Sequence, residues 1–268
     1  MDNSMIDLIG NTPLIKLKYP SELTGCNIYG KAEFMNPGGS VKDRAALGII
    51  QNAEEKKLIE PGGTVVEGTF GNTGIALTMI NNARGYKTII VMPDAASLEK
   101  RDILRNLGAE LRIVEVKPYK DPGNYQHISR QLAEELQAKG EGSVIWANQF
   151  DNTANYQFHA KTTAREIYNQ LDGKVDGFTC AIGTGGTLAG TSVGLKELNP
   201  DIKIACTDPQ GATMYRYFKD SVLEVTGDPS ETEGIGQARV TKNVEACLID
   251  MAYHISDKEA FELLYKLI

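Results

Sequence analysis

From about residue 63 to residue 209 the chain alternates short β-branched runs with longer stretches of helical periodicity. Residues 64–69 (TVVEGT), 88–92 (TIIVM), 110–116 and 144–147 read as strands, rich in Val, Ile and Thr, the second stopped by Pro93. Between them, residues 75–83, 97–107 and 125–139 read as helices ending at Gly85, Gly108 and Gly140, the residue type that most easily adopts the left-handed turn closing a helix. The alternation resumes with a helix over 155–171, a strand over 177–182, a helix over 188–198 and a strand over 202–207. This spacing predicts βαβ units, parallel sheets and an α/β fold, in which ligands bind at the carboxyl ends of strands. Ser256 and Glu259 form a capping box for a final helix. Its apolar positions Phe261, Leu263, Leu264, Leu267 and Ile268 need a partner, and the end reads as cut rather than finished.

Composition narrows the class. The 268 residues suffice for one large domain or two modest ones, and 41% apolar against 24% charged residues excludes a disordered chain. A net charge of −7 argues against a nucleic-acid partner, since phosphate backbones need clustered Lys and Arg. The first residues (MDNSMIDLIG) have no basic leader, and no run approaches the ~18 apolar residues of a membrane span, so a soluble, cytoplasmic protein with no membrane partner is expected. Cys26, Cys180, Cys206 and Cys247 contain no C-x-x-C pair, and His127, His159 and His254 are scattered, so neither a metal site nor a disulfide framework is expected.

Three segments are candidates for chemistry. In NPGGSVK (36–42) a glycine-rich turn leads into a helix, with Ser40 available as N-cap and Lys42 in the first turn. The positive end of a helix disfavours an ammonium and favours the neutral amine, the form that attacks an aldehyde; the competing reading is a solvated lysine. In VVEGTFGNTG (65–74) a strand passes through small residues into a helix, which suits either a carboxylate held by amides and Thr hydroxyls or a merely tight connection. In AIGTGGTLAG (181–190) a strand ends in a Gly/Thr loop opening a helix, the arrangement of a phosphate cradle. That loop lacks the Lys-Ser/Thr of a nucleotide P-loop, and Leu188 stands where a dinucleotide fingerprint needs glycine, so neither ATP nor NAD is favoured. Converging on one crevice, an amine, a carboxylate site and a phosphate site would serve pyridoxal-phosphate chemistry on an amino acid.

In their order, the motifs IGNTPL (9–14), 36–44, 67–74, Asn148-Gln149, 183–187 and EGIG (233–236) resemble the cysteine synthase (O-acetylserine sulfhydrylase) and cystathionine β-synthase family of fold type II pyridoxal-phosphate enzymes, over essentially the whole chain. The resemblance implies an α/β fold of two doubly wound parallel-sheet domains, like the tryptophan synthase β chain, with a C-terminal part missing. A smaller domain spans 1–152, with about 13–35 crossing to the larger, incomplete domain 153–268. It implies pyridoxal 5′-phosphate as cofactor, with Lys42 bonded to it and later moving protons at the substrate Cα. Asn72 matches the asparagine beside the cofactor ring oxygen. Thr69, Thr73 and Gln149 match positions gripping the substrate carboxylate, in a loop that includes Phe70 and Gly71. Gly183, Thr184, Gly185, Gly186 and Thr187 match the phosphate loop, and Gly236 a loop facing the cofactor.

The reaction so implied is β-replacement, giving L-cysteine from O-acetylserine and sulfide, by a homodimer. Two alternatives stay open: a cystathionine β-synthase-like enzyme using serine and homocysteine, and a truncated, non-catalytic protein of the same fold. Two departures motivate the non-catalytic reading. Phe70 stands where many relatives carry Ser or Ala, either narrowing the pocket or turning harmlessly away, and the Gly-Ser-Ser-Gly segment expected downstream is not in this sequence.

Overall fold

The computed structural model describes residues 4–140 and 142–267; Ile268, the last apolar position of the expected final helix, lies outside them, as do positions 1–3. Contacts divide the chain into two compact units: unit 1 is Met1–Gly10 with Glu33–Asn155, and unit 2 is Asn11–Ala32 with Tyr156–Ile268.

The early part of unit 2 is a small antiparallel pair, β1 (Leu14–Lys16) and β2 (Tyr29–Lys31), with helix α1 (Lys18–Thr24) between them. It was not expected, because three-residue strands are too short to show a period. Lys31 anchors it within unit 2: its Nζ lies 2.7 Å from a carboxylate oxygen of Glu166.

Unit 1 continues with α2 (Lys42–Glu55), β3 (Thr64–Gly68), α3 (Asn72–Arg84), β4 (Lys87–Pro93), α4 (Leu98–Asn106), β5 (Glu110–Val114), α5 (Tyr125–Ala138) and β6 (Val144–Trp146). The side chains of Ser97 and Asn124 accept from the N–H groups of Lys100 and Gln126 and so start α4 and α5, while Gly85 at φ 76° ends α3. The four strands are parallel in the order β5-β4-β3-β6. Alternation places Val66, Ile89 and Val91 against Leu132, Ala133 and Leu136 of α5, whereas Ile90 and Met92 pack with Ile75 and Leu104 of α3 and α4. Helices therefore cover both faces, which defines a doubly wound sheet. The chain winds outward from β3 to β5 and then returns to β6 on the other side of β3, so the strand order reverses between β3 and β6.

The later part of unit 2 runs through α6 (Ala154–Lys161), α7 (Thr163–Gln170), β7 (Gly177–Cys180), α8 (Gly186–Leu198), β8 (Lys203–Pro209), α9 (Met214–Asp220), α10 (Lys242–Glu245), β9 (Met251–Ile255) and α11 (Asp257–Leu267). Its parallel sheet has the order β7-β8-β9. Ile182, Leu188, Leu195, Ile202, Ile204 and Cys206 form the centre of its core, joined by Ala164 and Ile167 of α7.

The single helix expected over 155–171 is two. Thr162 leaves helical geometry at φ −119°, ψ −73°, and its hydroxyl bonds back to the Phe158 carbonyl at 2.7 Å, a local bond that bends helices. The final helix forms with both halves of its capping box: Glu259 N–H donates to Ser256 Oγ at 3.3 Å, and Ser256 N–H to Glu259 Oε2 at 2.9 Å. Phe261, Leu263, Leu264 and Leu267 are exposed on it. Among the described residues no helix is long and apolar enough to cross a membrane.

Candidate active site

In unit 1, Lys42 is the first residue of α2, and the turn before it is fixed from several sides. Asn36 is buried; its Oδ1 accepts from Gly10 N–H at 2.9 Å and its Nδ2 donates to the Glu33 carbonyl at 2.8 Å. Gly39, at φ +78°, reverses the chain and donates to the Asn36 carbonyl at 2.8 Å. Ser40 is not the N-cap in the expected sense: Val41 holds that position, and Ser40 Oγ accepts from the Lys42 N–H at 3.2 Å. Arg44, fully buried, forks onto Glu33 with N–O distances of 2.7 and 2.9 Å. Asp43 is buried too and accepts from Gly38 N–H at 2.5 Å. Burial, opposed by that bond and reinforced by the Glu33 charge, pushes its carboxyl up to about 6.

Helix α2 packs along α3. Their C-terminal ends are tied together, because Glu54 accepts from Tyr86 Oη at 2.9 Å and pairs with Arg84 at 3.7 Å. Two helices of 14 and 13 residues joined at that end have their N-terminal ends together as well, which places Lys42 and Asn72 at the same end of the pair.

That end of α3 follows directly from the carboxyl end of β3. Gly68 leaves no room for a side chain: a Cβ there would lie 2.7 Å from the Tyr125 carbonyl. Thr69 is buried and its Oγ1 accepts from Gly71 N–H at 3.1 Å. Gly71 adopts φ +151°, ψ −64°, a conformation that favours glycine. Asn72 is exposed, and Thr73 buried. The Thr73 hydroxyl donates to Gln149 Oε1 at 2.5 Å, although the two are 76 positions apart. Gln149 reaches it because β6, just before it, lies beside β3, so the pair sits at the reversal of strand order. Phe70 turns its ring into the unit's apolar layers, edge-on to Tyr125 with centroids 5.4 Å apart.

In unit 2 the loop from β7 to α8 has its carbonyls occupied. Ile182 O accepts from Gly236 N–H at 2.8 Å, Gly183 O from Gln237 Nε2 at 2.9 Å, and Thr184 O from the Thr241 hydroxyl at 2.7 Å. Those bonds fix the loop as it enters a 13-residue helix, whose first N–H groups lack intrahelical acceptors and carry partial positive charge. Gly185 is at φ +91° with Val244 N only 2.9 Å from where a Cβ would stand, and a Cβ on Gly183 would lie 2.6 Å from the Gly234 carbonyl. Behind the loop, buried His159 spans two hydroxyls, with Nδ1 2.8 Å from Thr163 Oγ1 and Nε2 3.3 Å from Thr187 Oγ1. A helix start fixed in this way can cradle an anion.

The structure thus brings Lys42, Asn72, Thr73 and Gln149 to one edge of unit 1, and Gly183–Thr187 together with Gly236 in unit 2. Two participants had no role in the sequence reading. His159 had no local signal beyond its being one of three histidines. Glu67 did have one: it is an acidic residue within β3, all five of whose residues are buried. Gln149 Nε2 donates to Glu67 Oε1 at 3.1 Å, while Oε2 is buried with no hydrogen-bond partner among the described residues. Burial, opposed by hydrogen bonds from the side chain and N–H of Gln149 and the N–H of Asn148, pushes the Glu67 carboxyl up to about 8.

Residues 5–268 match the family model described as pyridoxal-phosphate dependent enzyme. The chain is similar to Cysteine synthase 1 of Neurospora crassa, 51% identical over 263 residues that cover 96% of this chain and 68% of the relative. Among solved structures, an O-ureido-L-serine synthase matches with TM-score 0.87 and 34% identity, covering 100% of this chain and 80% of that one. The O-acetylserine dependent cystathionine beta-synthase of Helicobacter pylori matches with TM-score 0.85 and 33% identity, covering 100% and 83%.

Proposed function

This chain belongs to the pyridoxal-phosphate-dependent enzyme family, and from that membership we propose that it forms L-cysteine from O-acetylserine and sulfide by β-replacement. The observation that carries the reading is the placement of a helix-initiating lysine at the same end of the α2–α3 pair as the loop bearing the bonded Thr73 and Gln149 side chains. The residues present fit the cofactor: an amine for its aldehyde at position 42, and for its phosphate a Gly/Thr loop at a helix start with carbonyls bonded elsewhere.

Lys42 is the attachment residue, and its nitrogen takes the proton from the substrate Cα once released. Gly183, Thr184, Gly185, Gly186 and Thr187 hold the phosphate, with Gly236 pinned against them and His159 steadying the Thr187 hydroxyl. Asn72 orients the cofactor ring. Thr69, Gly71, Thr73 and Gln149 bind the amino-acid carboxylate, which fixes the orientation of the bond to be broken at Cα. When bound, the cofactor supplies an electron sink for the charge that develops there. Sulfide then replaces acetate at the β-carbon.

The test is product analysis with purified protein. Cysteine from O-acetylserine and sulfide is expected; cystathionine from serine and homocysteine as the dominant product would replace this reading with the other β-replacement. We extend the proposal to a cytoplasmic location and to a homodimer, the latter supported by exposed Leu8, Phe34 and Met35 in unit 1. A monomer in sedimentation analysis would remove that extension.

Phe70 acts on stability more than on substrate choice, because its ring is engaged with Tyr125. Phe70→Ala is expected to lower stability by about 2 kcal/mol through lost packing. The KM for O-acetylserine should change less than about threefold, since less than 1 kcal/mol of binding is at stake. A large shift in KM at unchanged melting temperature would assign the ring to the substrate pocket.

A further inference from the structure

We propose that Glu67 is a positioning residue for the substrate carboxylate, setting the orientation of the Gln149 amide and, through it, of the Thr73 hydroxyl. The proposal rests on the β-replacement reading and deepens it.

A glutamine side chain has two nearly isosteric orientations that exchange its carbonyl and NH₂ groups. At Gln149, the Thr73 hydroxyl donates to Oε1 at 2.5 Å, and Nε2 donates to Glu67 Oε1 at 3.1 Å. Glu67 is the acceptor that selects between them. With it, Nε2 is held on Glu67 and Oε1 on the Thr73 hydroxyl, which can rotate its proton from Gln149 to the incoming anion. Without an acceptor at 67 the amide is free to turn over. Its NH₂ would then face the Thr73 hydroxyl where the carbonyl now accepts, and the bond that sets that hydroxyl would be lost.

The same reasoning explains why the acid must be neutral. Glu67 is 1% exposed, in the central β3, and its side chain shares a sheet face with the buried Ile90. The groups that face its carboxyl are the side chain and N–H of Gln149 and the N–H of Asn148, with Thr73 of α3 one bond further; none is charged. A protonated carboxyl accepts from Gln149 as well as a carboxylate would geometrically, and adds no negative charge behind an anion site. Since the group is neutral below about 8, carboxylate binding should be intact there and weaken as pH rises through that value.

The experiment measures steady-state kinetics with O-acetylserine and sulfide for the full-length wild type, Glu67→Gln and Glu67→Leu, alongside the visible absorbance of the lysine-bound cofactor. Glu67→Leu should raise the KM for O-acetylserine at least tenfold with kcat within about twofold, and leave the absorbance in place. Glu67→Gln, which keeps a carbonyl acceptor and a donor without charge, should stay within about threefold of wild type and lose the rise in KM above pH 8. Unchanged KM in Glu67→Leu, or a Glu67→Gln protein with the wild-type pH profile, would overturn the assignment while the cysteine-forming activity stands. If Glu67→Leu is insoluble, the pH profile of Glu67→Gln decides alone. A wild type that shows the cofactor absorbance but no change on adding O-acetylserine would overturn the proposed reaction, and this inference with it.

Discussion

Replacing Lys42 by alanine is expected to abolish the visible absorbance of bound cofactor and to cut β-replacement by at least about a thousandfold, leaving the fold intact. The size follows from the two roles proposed for Lys42, covalent anchor and proton carrier, both lost in one change. Intactness follows from the site: Lys42 is partly exposed at the first position of α2, and alanine is the better helix former. Its loss also takes a positive charge from the positive end of a helix, which is neutral to favourable for folding. Spectroscopy and activity should therefore collapse while the melting temperature moves by no more than about 2 °C. Borohydride reduction of the wild type and peptide mapping should find the cofactor on the peptide containing position 42. An adduct on another lysine, or full absorbance in the alanine variant, would refute the assignment.

The largest stability effect should come from Gly190→Ala. Gly186, Gly190 and Gly194 recur every fourth position of α8 and so share one face. Against that face lies the backbone of α6. A Cβ on Gly190 would overlap the Tyr156 carbonyl and stand 2.5 Å from His159 Cβ and 2.9 Å from Ala160 N. Helix propensity alone favours alanine by about 1 kcal/mol. Steric overlap with main-chain atoms, which cannot swing aside, opposes it with ~3 kcal/mol or more, so the clash wins. We expect a variant that is insoluble or melts many degrees lower, measured by urea or thermal denaturation. Gly85→Ala is the control. It pays for its φ of 76° but meets nothing within 4 Å, and should cost only about 1 kcal/mol. Equal behaviour of the two variants would mean that α6 can retreat from α8.

Much of this architecture can be read from the residues. TVVEG, KTIIVMP and KIACTDP are strands because β-branched runs bounded by Gly and Pro have little else to become, and β3, β4 and β8 begin within a residue or two of the expected places. The end of α5 needed only Gly140. What escaped was either short or set by distant contacts. The β1–β2 pair gives no period, and β9, the five residues MAYHI, has no run of β-branched residues to announce it. The break at Thr162 follows a side-chain bond to its own backbone, invisible to periodicity. In the candidate site, the residue types in each loop were legible, but the Thr73–Gln149 bond was not: it exists because β6 returns to the far side of β3, a choice of strand order that no local window contains. Glu67 was the clearest unused signal, since an acid in a fully buried strand needs a reason.

The clamp of Arg44 on Glu33 has a mechanical meaning for the residue two positions earlier. With Asn36, Asp43 and Arg44 each bonded into unit 1, the main chain carrying Lys42 behaves as a fixed post. Whatever travel the amine needs must come from the four methylenes of its own side chain, which reorient in picoseconds to nanoseconds. Under the role proposed for Lys42, passage of that nitrogen between tether and proton carrier asks only for side-chain rotation, on a timescale far shorter than typical turnover.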